Sequence, residues 1–199
     1  MGLPTSSNDC LVCQKNKCHQ LPYSGHFEEG ILPLDCLHID LVGPISPSSF
    51  SGYSYFLTIV DQATGFKMVK FLKRKSEAFQ NFLSAKRLME NIHDRKLKKL
   101  VLDRGGEFLN NQFKELSEEC GFIHFFSPPE TPQHNGYAER ANITILEKAR
   151  CLINPTNLPK SFWAEAVNTA VYISNLSPTI SCNNKSPHLL WYNIPAKIN

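Results

Sequence analysis

At 199 residues, with 42 % apolar and 20 % charged side chains, the chain can bury one sizeable core and leaves room for a small appendage. No stretch approaches the roughly 18 uninterrupted apolar residues of a membrane span, and Met1-Gly2-Leu3-Pro4 opens no basic-then-apolar leader, so the expected setting is cytosolic or nuclear. A net charge of +3 permits a polyanionic partner without demanding one, and seven scattered cysteines argue against a disulfide framework.

Residues 1–30 are polar, rich in Cys, Lys and Gly, and carry no long period; they read as a partial module and linker ahead of a core domain at 31–199. Leu37 to Val42 predicts a strand, followed by a Gly-, Pro- and Ser-rich loop from Gly43. Tyr53 to Val60, apolar and β-branched, predicts a second strand, and Phe66 to Leu72 a third after the Asp61–Gly65 turn. Together they predict an antiparallel meander. Phe79, Phe82, Leu83, Leu88, Met89 and Ile92 recur at helical spacing behind Ser76, which is expected to cap that helix. Lys98 to Leu102 is the fourth predicted strand, Asn110 to Cys120 a helix stopped by Gly121, and Phe122 to Phe126 the fifth strand. Helices over Tyr137–Ile153 and Pro159–Leu176 complete the order βββαβαβαα, an α/β fold with a central mixed five-stranded sheet flanked by helices.

Three acids stand out against this plan. Asp40 interrupts the apolar first strand, Asp103 ends the fourth and precedes Arg104-Gly105-Gly106, and Glu139 opens the next helix behind a proline- and glycine-punctuated loop. Isolated carboxylates in such runs cost several kcal/mol to bury, and a divalent cation is their usual partner. The first and fourth strands of this topology can lie side by side, which would bring Asp40 to Asp103, with Glu139 arriving from the helix. Three carboxylates shared between two hard cations, about 3.5–4 Å apart, suit an in-line phosphoryl displacement without a covalent intermediate. The plainer reading makes Asp103 a turn residue and Glu139 an acid complementing a helix dipole. The spacing and flanks favour the metal site.

Leu37-His38-Ile39-Asp40-Leu41-Val42-Gly43-Pro44, Tyr55-Phe56-Leu57-Thr58-Ile59-Val60-Asp61, Leu102-Asp103-Arg104-Gly105-Gly106-Glu107-Phe108 and Thr131-Pro132-Gln133-His134-Asn135-Gly136-Tyr137-Ala138-Glu139-Arg140 closely resemble, in order, the integrase catalytic core of copia-type long-terminal-repeat retrotransposons. The resemblance covers nearly the whole chain. It implies an RNase H-like fold and a catalytic triad of Asp40, Asp103 and Glu139, with thirty-five residues between the last two, holding Mg²⁺ or Mn²⁺ as two ions. It also implies 3′-end processing of element cDNA, strand transfer into host DNA in the nucleus after a cytoplasmic particle stage, a homo-multimer, and excision from a Gag-Pol polyprotein. No membrane partner is implied. The family's zinc module pairs two His with two Cys; Cys10 and Cys13 match the Cys pair, while the His pair is absent, so the expected zinc site is incomplete.

Around the triad, Gln133, Asn135, Gly136 and Tyr137 form a polar, flexible loop suited to gripping a DNA end, and Lys148 and Arg150 on the Glu139 helix are candidate phosphate contacts. Lys73-Arg74-Lys75 and Arg95-Lys96-Leu97-Lys98-Lys99 read as solvated faces, and Asp61 as a turn cap. Two rival readings share this sequence: a catalytically decayed or domesticated DNA-binding module, and a ribonuclease H-type hydrolase.

Overall fold

The computed structural model describes residues 32–102, 111–126, 136–156 and 158–196. Residues 1–30, with Cys10 and Cys13, lie outside that range.

Alternation along the first segment makes it a two-faced strand. In β1 (Leu37–Val42), Leu37, Ile39 and Leu41 face one layer while His38, Asp40 and Val42 face the other. β2 (Tyr55–Asp61) is buried along nearly its whole length, as a strand covered on both faces must be. β3 (Lys67–Leu72) completes the expected antiparallel meander, with Asp40 opposite Thr58 and Thr58 opposite Val69. β4 (Lys99–Leu102) and β5 (Ile123–Phe126) run parallel to β1, giving one mixed sheet in the order β3-β2-β1-β4-β5. The parallel pairing sets His38 beside Val101.

Helices cover both faces. On one side α1 (Ala78–His93), α2 (Asn111–Cys120) and the short α5 (Pro187–Tyr192) bury Phe82, Met89, Phe113 and Trp191 over Leu37, Ile39, Leu57 and Leu100. On the other, α3 (Gly136–Ile153) and α4 (Trp163–Leu176) bury Ile145, Ala149, Trp163 and Val167 over Phe56 and Val60. Each such large apolar side chain contributes about 1.5–3 kcal/mol on burial. A buried ion pair within α1 orients Glu90, whose carboxylate ties the helix to the segment entering β4. Lys86 Nζ lies 2.9 Å from Glu90 Oε1, which also accepts the Leu97 N–H at 2.9 Å. At the open edge of β3, the Asn175 amide of α4 bonds both polar groups of the Lys67 backbone, accepting from its N–H at 2.9 Å and donating to its carbonyl at 2.7 Å.

The expected cap at Ser76 is not present. The chain enters α1 through a 3₁₀ turn over Lys75–Glu77 that contains Ser76, and the Glu77 carboxylate, rather than the Ser76 hydroxyl, accepts a backbone N–H, that of Lys73. Pro159 likewise precedes a 3₁₀ turn (Lys160–Phe162), so α4 begins at Trp163.

Candidate active site

Asp40 sits on the α3 face of β1, half-buried. Its Oδ1 accepts the Leu41 N–H at 2.9 Å and its Oδ2 accepts the Asn142 amide of α3 at 2.7 Å. The Asn142 carbonyl oxygen in turn accepts the hydroxyl of Thr58, the residue directly across the sheet from Asp40. Thr58 is fully buried and Asn142 nearly so. One amide thus spans a cross-strand pair and fixes where α3 crosses the sheet. A second contact fixes the start of the helix: Tyr137 stacks on His38, two residues before Asp40 on the same face, with ring centroids 4.8 Å apart. His38 Nε2 lies 2.8 Å from Gln62 Oε1 and 3.6 Å from Cys36 Sγ. Arg140 places its guanidinium 5.8 Å from the Tyr137 ring and its Nε donates to the Gly136 carbonyl at 3.0 Å.

Glu139 lies in the first turn of α3, exposed, three residues before Asn142 and so on the same side of the helix. A negative charge there is favoured by the helix dipole. Asp40 and Glu139 are therefore carried by elements that Asn142 ties directly together. Asp103 follows Leu102, the last residue of β4, and lies outside the described residues, as do Gln133 and Asn135. Gly136 is the first residue of α3. Among the described residues, no three His, Cys, Asp and Glu side chains gather at metal-binding distance.

The two candidate phosphate contacts part company. Eleven residues beyond Glu139, or about three turns, Arg150 returns to the same side of α3 and is exposed. Lys148, nine residues and about two and a half turns on, lies on the opposite flank, where its ammonium donates to Ser174 Oγ of α4 at 2.8 Å and burial lowers its pKa. In the Arg95–Lys99 cluster, Arg95 and Lys98 pair with Asp35 at 3.0 and 2.7 Å, and Lys96 approaches Glu90 at 3.7 Å. Asp61 is buried in its turn, accepting from the Leu34 N–H and from the N–H and hydroxyl of Thr64; burial raises its carboxyl pKa against those bonds. Sequence reasoning passed over Asn142, Thr58 and His38. The signal for Asn142 was available: it is a polar residue on the stripe of Ala138, Ala141, Ile145 and Ala149, all buried.

A five-stranded mixed sheet with this order, clothed by helices on both faces, is the RNase H-like fold of the retroviral integrase cores. The simian T-cell lymphotropic virus intasome in complex with a PP2A regulatory subunit contains a chain that aligns with 96 % of this one and 66 % of its own length, at a TM-score of 0.69 and 23 % identity. The HTLV-2 integrase catalytic core domain in complex with magnesium, in its trimeric form, aligns over 81 % of this chain and 99 % of its own, at 0.59 and 22 %. In sequence, close homologues of the chain are the Pol polyproteins of copia-type plant transposons. It is 39 % identical over 189 residues to the retrovirus-related Pol polyprotein of transposon TNT 1-94 from Nicotiana tabacum, and 34 % identical over 183 residues to that of transposon RE2 from Arabidopsis thaliana. These alignments take in 95 % and 92 % of this chain but only 14 % and 12 % of the polyproteins. No protein-family model matches the chain. No helix among the described residues is long and apolar enough to cross a membrane.

Proposed function

We propose that the chain is the catalytic part of a retrotransposon integrase, a polynucleotidyl transferase that trims the 3′ ends of the element's cDNA and joins them to host DNA in the nucleus, acting as a multimer released from a Gag-Pol polyprotein. Asp40, Asp103 and Glu139 would hold Mg²⁺ or Mn²⁺. The donor chemistry fits hard cations: Asp40 and Glu139 offer only carboxylate oxygens, on two elements joined by one hydrogen bond. When bound, such ions polarise the phosphodiester and stabilise the attacking and leaving oxygens of an in-line displacement.

The chain's own residues supply the positioning. Asn142 and the Leu41 N–H fix the two oxygens of Asp40, so the carboxylate meets its ligand without reorganising. The Tyr137–His38 stack anchors the helix start that carries Glu139. Gln133, Asn135 and Gly136 would grip the DNA end beside it, and Arg150 would meet a phosphate further along the helix. Lys148 joins α3 to α4 through Ser174. Cys10 and Cys13 would be half of a zinc site.

One observation carries this reading: Asn142 of the Glu139 helix donates to Asp40. The strand register supports it, because His38 pairs with Val101, and Asp40 and Asp103 each lie two residues further along the chain. The test is joining of a short labelled duplex to a second duplex by the full chain with Mg²⁺ or Mn²⁺. Joining is expected, and Asp40→Asn, Asp103→Asn and Glu139→Gln should each abolish it while far-UV circular dichroism stays unchanged. Retained joining by a folded Asp103→Asn chain overturns the assignment. Cleavage of an RNA–DNA hybrid without DNA joining would make the chain a hydrolase instead.

A further inference from the structure

β1 and β3 are both antiparallel to β2, so they run the same way and end on one edge of the sheet, the edge to which Asp40 leads. There the chain leaves β1 into the loop 43–54, which contains five serines and no acid. Phe50 stands at its tip, ten residues beyond Asp40, with 79 % of its surface in water. Single exposed apolar side chains are common and need no explanation when the backbone beneath them is free to adapt. This backbone is pinned. The Ile45 N–H donates to the Ser54 carbonyl at 2.7 Å, the Ser49 N–H to the Tyr53 carbonyl at 2.8 Å, and the Phe50 N–H to the Ser161 carbonyl at 2.8 Å. The Trp163 Nε1–H holds the Pro47 carbonyl at 3.2 Å from the other side. One face of the Phe50 ring turns to Phe162, with centroids 6.0 Å apart and planes 23° apart. A rigid scaffold thus holds a phenyl group out in solvent, as loops built for contact do.

Two ammonium groups flank it. Lys73 follows Phe71 by two residues on the edge strand and lies against the loop, because a Cβ added at Gly52 would meet its Cε at 3.8 Å. Lys160 precedes Phe162 by two residues. Both lysines are exposed, and among the described residues neither pairs with an acid. The hydroxyl-bearing Ser46, Ser48 and Ser51 are exposed between them. Cations and hydroxyls around a projecting apolar wedge match duplex DNA: the charges meet phosphates, and the wedge enters a base step and unstacks it. With one face already turned to Phe162, the ring suits entry by its edge better than service as a platform for successive bases. We propose that Phe50 is an intercalating wedge for the interior of the host duplex, with Lys73 and Lys160 on the flanking phosphates. This rests on the function proposed above, in which the element DNA reacts at its end and only the host DNA reacts within its length.

The experiment uses the full chain and a blunt duplex of arbitrary sequence carrying 2-aminopurine at a central TA step, with EDTA present so that binding is read without chemistry. Binding should raise the 2-aminopurine fluorescence, and a central mismatch, which lowers the cost of unstacking, should tighten binding about fivefold by anisotropy. Phe50→Ala should abolish both effects, and Phe50→Trp should retain them. Each of Lys73→Ala and Lys160→Ala should lower the slope of log affinity against log salt by about 0.9. A bound duplex without a fluorescence rise overturns the proposal, as does a mismatch advantage that survives Phe50→Ala. So does a change of sedimentation behaviour in Phe50→Ala with both DNA readouts intact, which would make the tip a protein contact. Phe50-dependent unstacking without joining in Mg²⁺ would sink the integrase reading alone, and joining without unstacking would sink the wedge alone.

Discussion

Replacing Asn142 by alanine removes two hydrogen bonds from the centre of the proposed site. The bond to Asp40 involves a charged acceptor at 2.7 Å, a class that contributes about 1.5–3 kcal/mol. The Thr58 hydroxyl, fully buried, loses its acceptor and bears an unsatisfied-group penalty of about 1–3 kcal/mol. Asp40 is half-buried and can recover part of its loss from water, which places the total near 3 kcal/mol. That is a large fraction of the about 5–15 kcal/mol that stabilises a typical domain. Urea denaturation of the chain and its Asn142→Ala variant should show this difference, and thermal melting a fall of roughly 6–12 °C. A cycle with Thr58→Val isolates the coupling: in that background the Asn142→Ala loss should shrink by about 1 kcal/mol or more, because the buried hydroxyl is already gone. A loss below about 0.5 kcal/mol, or strict additivity with Thr58→Val, would refute the claim that one amide ties α3 to the Asp40–Thr58 pair.

Three further outcomes follow from the same geometry. At Gly43, where φ is +135°, an added Cβ would sit 2.6 Å from the Ser54 carbonyl oxygen and 2.6 Å from the Tyr55 ring; Gly43→Ala should cost about 1–3 kcal/mol in denaturant titration. Burial acts to raise the Glu90 carboxyl, but the Leu97 N–H and Lys86 together hold it below the usual range. Its folded pKa being depressed, its contribution is present above the unfolded value of about 4.3 and is lost as pH falls through the lower folded value; Glu90→Gln should flatten the stability profile in that acid window. Burial pushes the Cys36 thiol up to about 12, so among Cys36, Cys120, Cys151 and Cys182, iodoacetamide at pH 8 should modify exposed Cys120 first and spare Cys36, as read by mass spectrometry of the native chain.

The sheet was legible because its strands are long apolar or alternating runs; β1 coincides with its predicted span, and the adjacency of the first and fourth strands, which the order of elements allowed, is found in the sheet. Where boundaries moved, a local competitor won: Glu77 reaches back to the Lys73 N–H, so Ser76 falls inside a 3₁₀ turn instead of capping. The six-residue α5 is too short to show a period, though Ser186-Pro187, a capping serine followed by proline at the first helical position, marks its start. Asp40 and Glu139 were readable as acids in the wrong company. The bond from Asn142 that joins the Glu139 helix to Asp40 was not, because an asparagine inside a helix says nothing on its own about which strand it will meet.

The clamp of Asn175 on Lys67 has a consequence beyond holding α4 in place. An outermost strand offers its unmet amides to any passing chain, and sheet proteins that leave such a border bare tend to stack into fibres. Here a single carboxamide imitates one residue of a sixth strand, occupying both backbone groups of Lys67 that a newcomer would need. At that residue the border is met by a side chain, which withholds the backbone of Lys67 from edge-to-edge pairing with another chain.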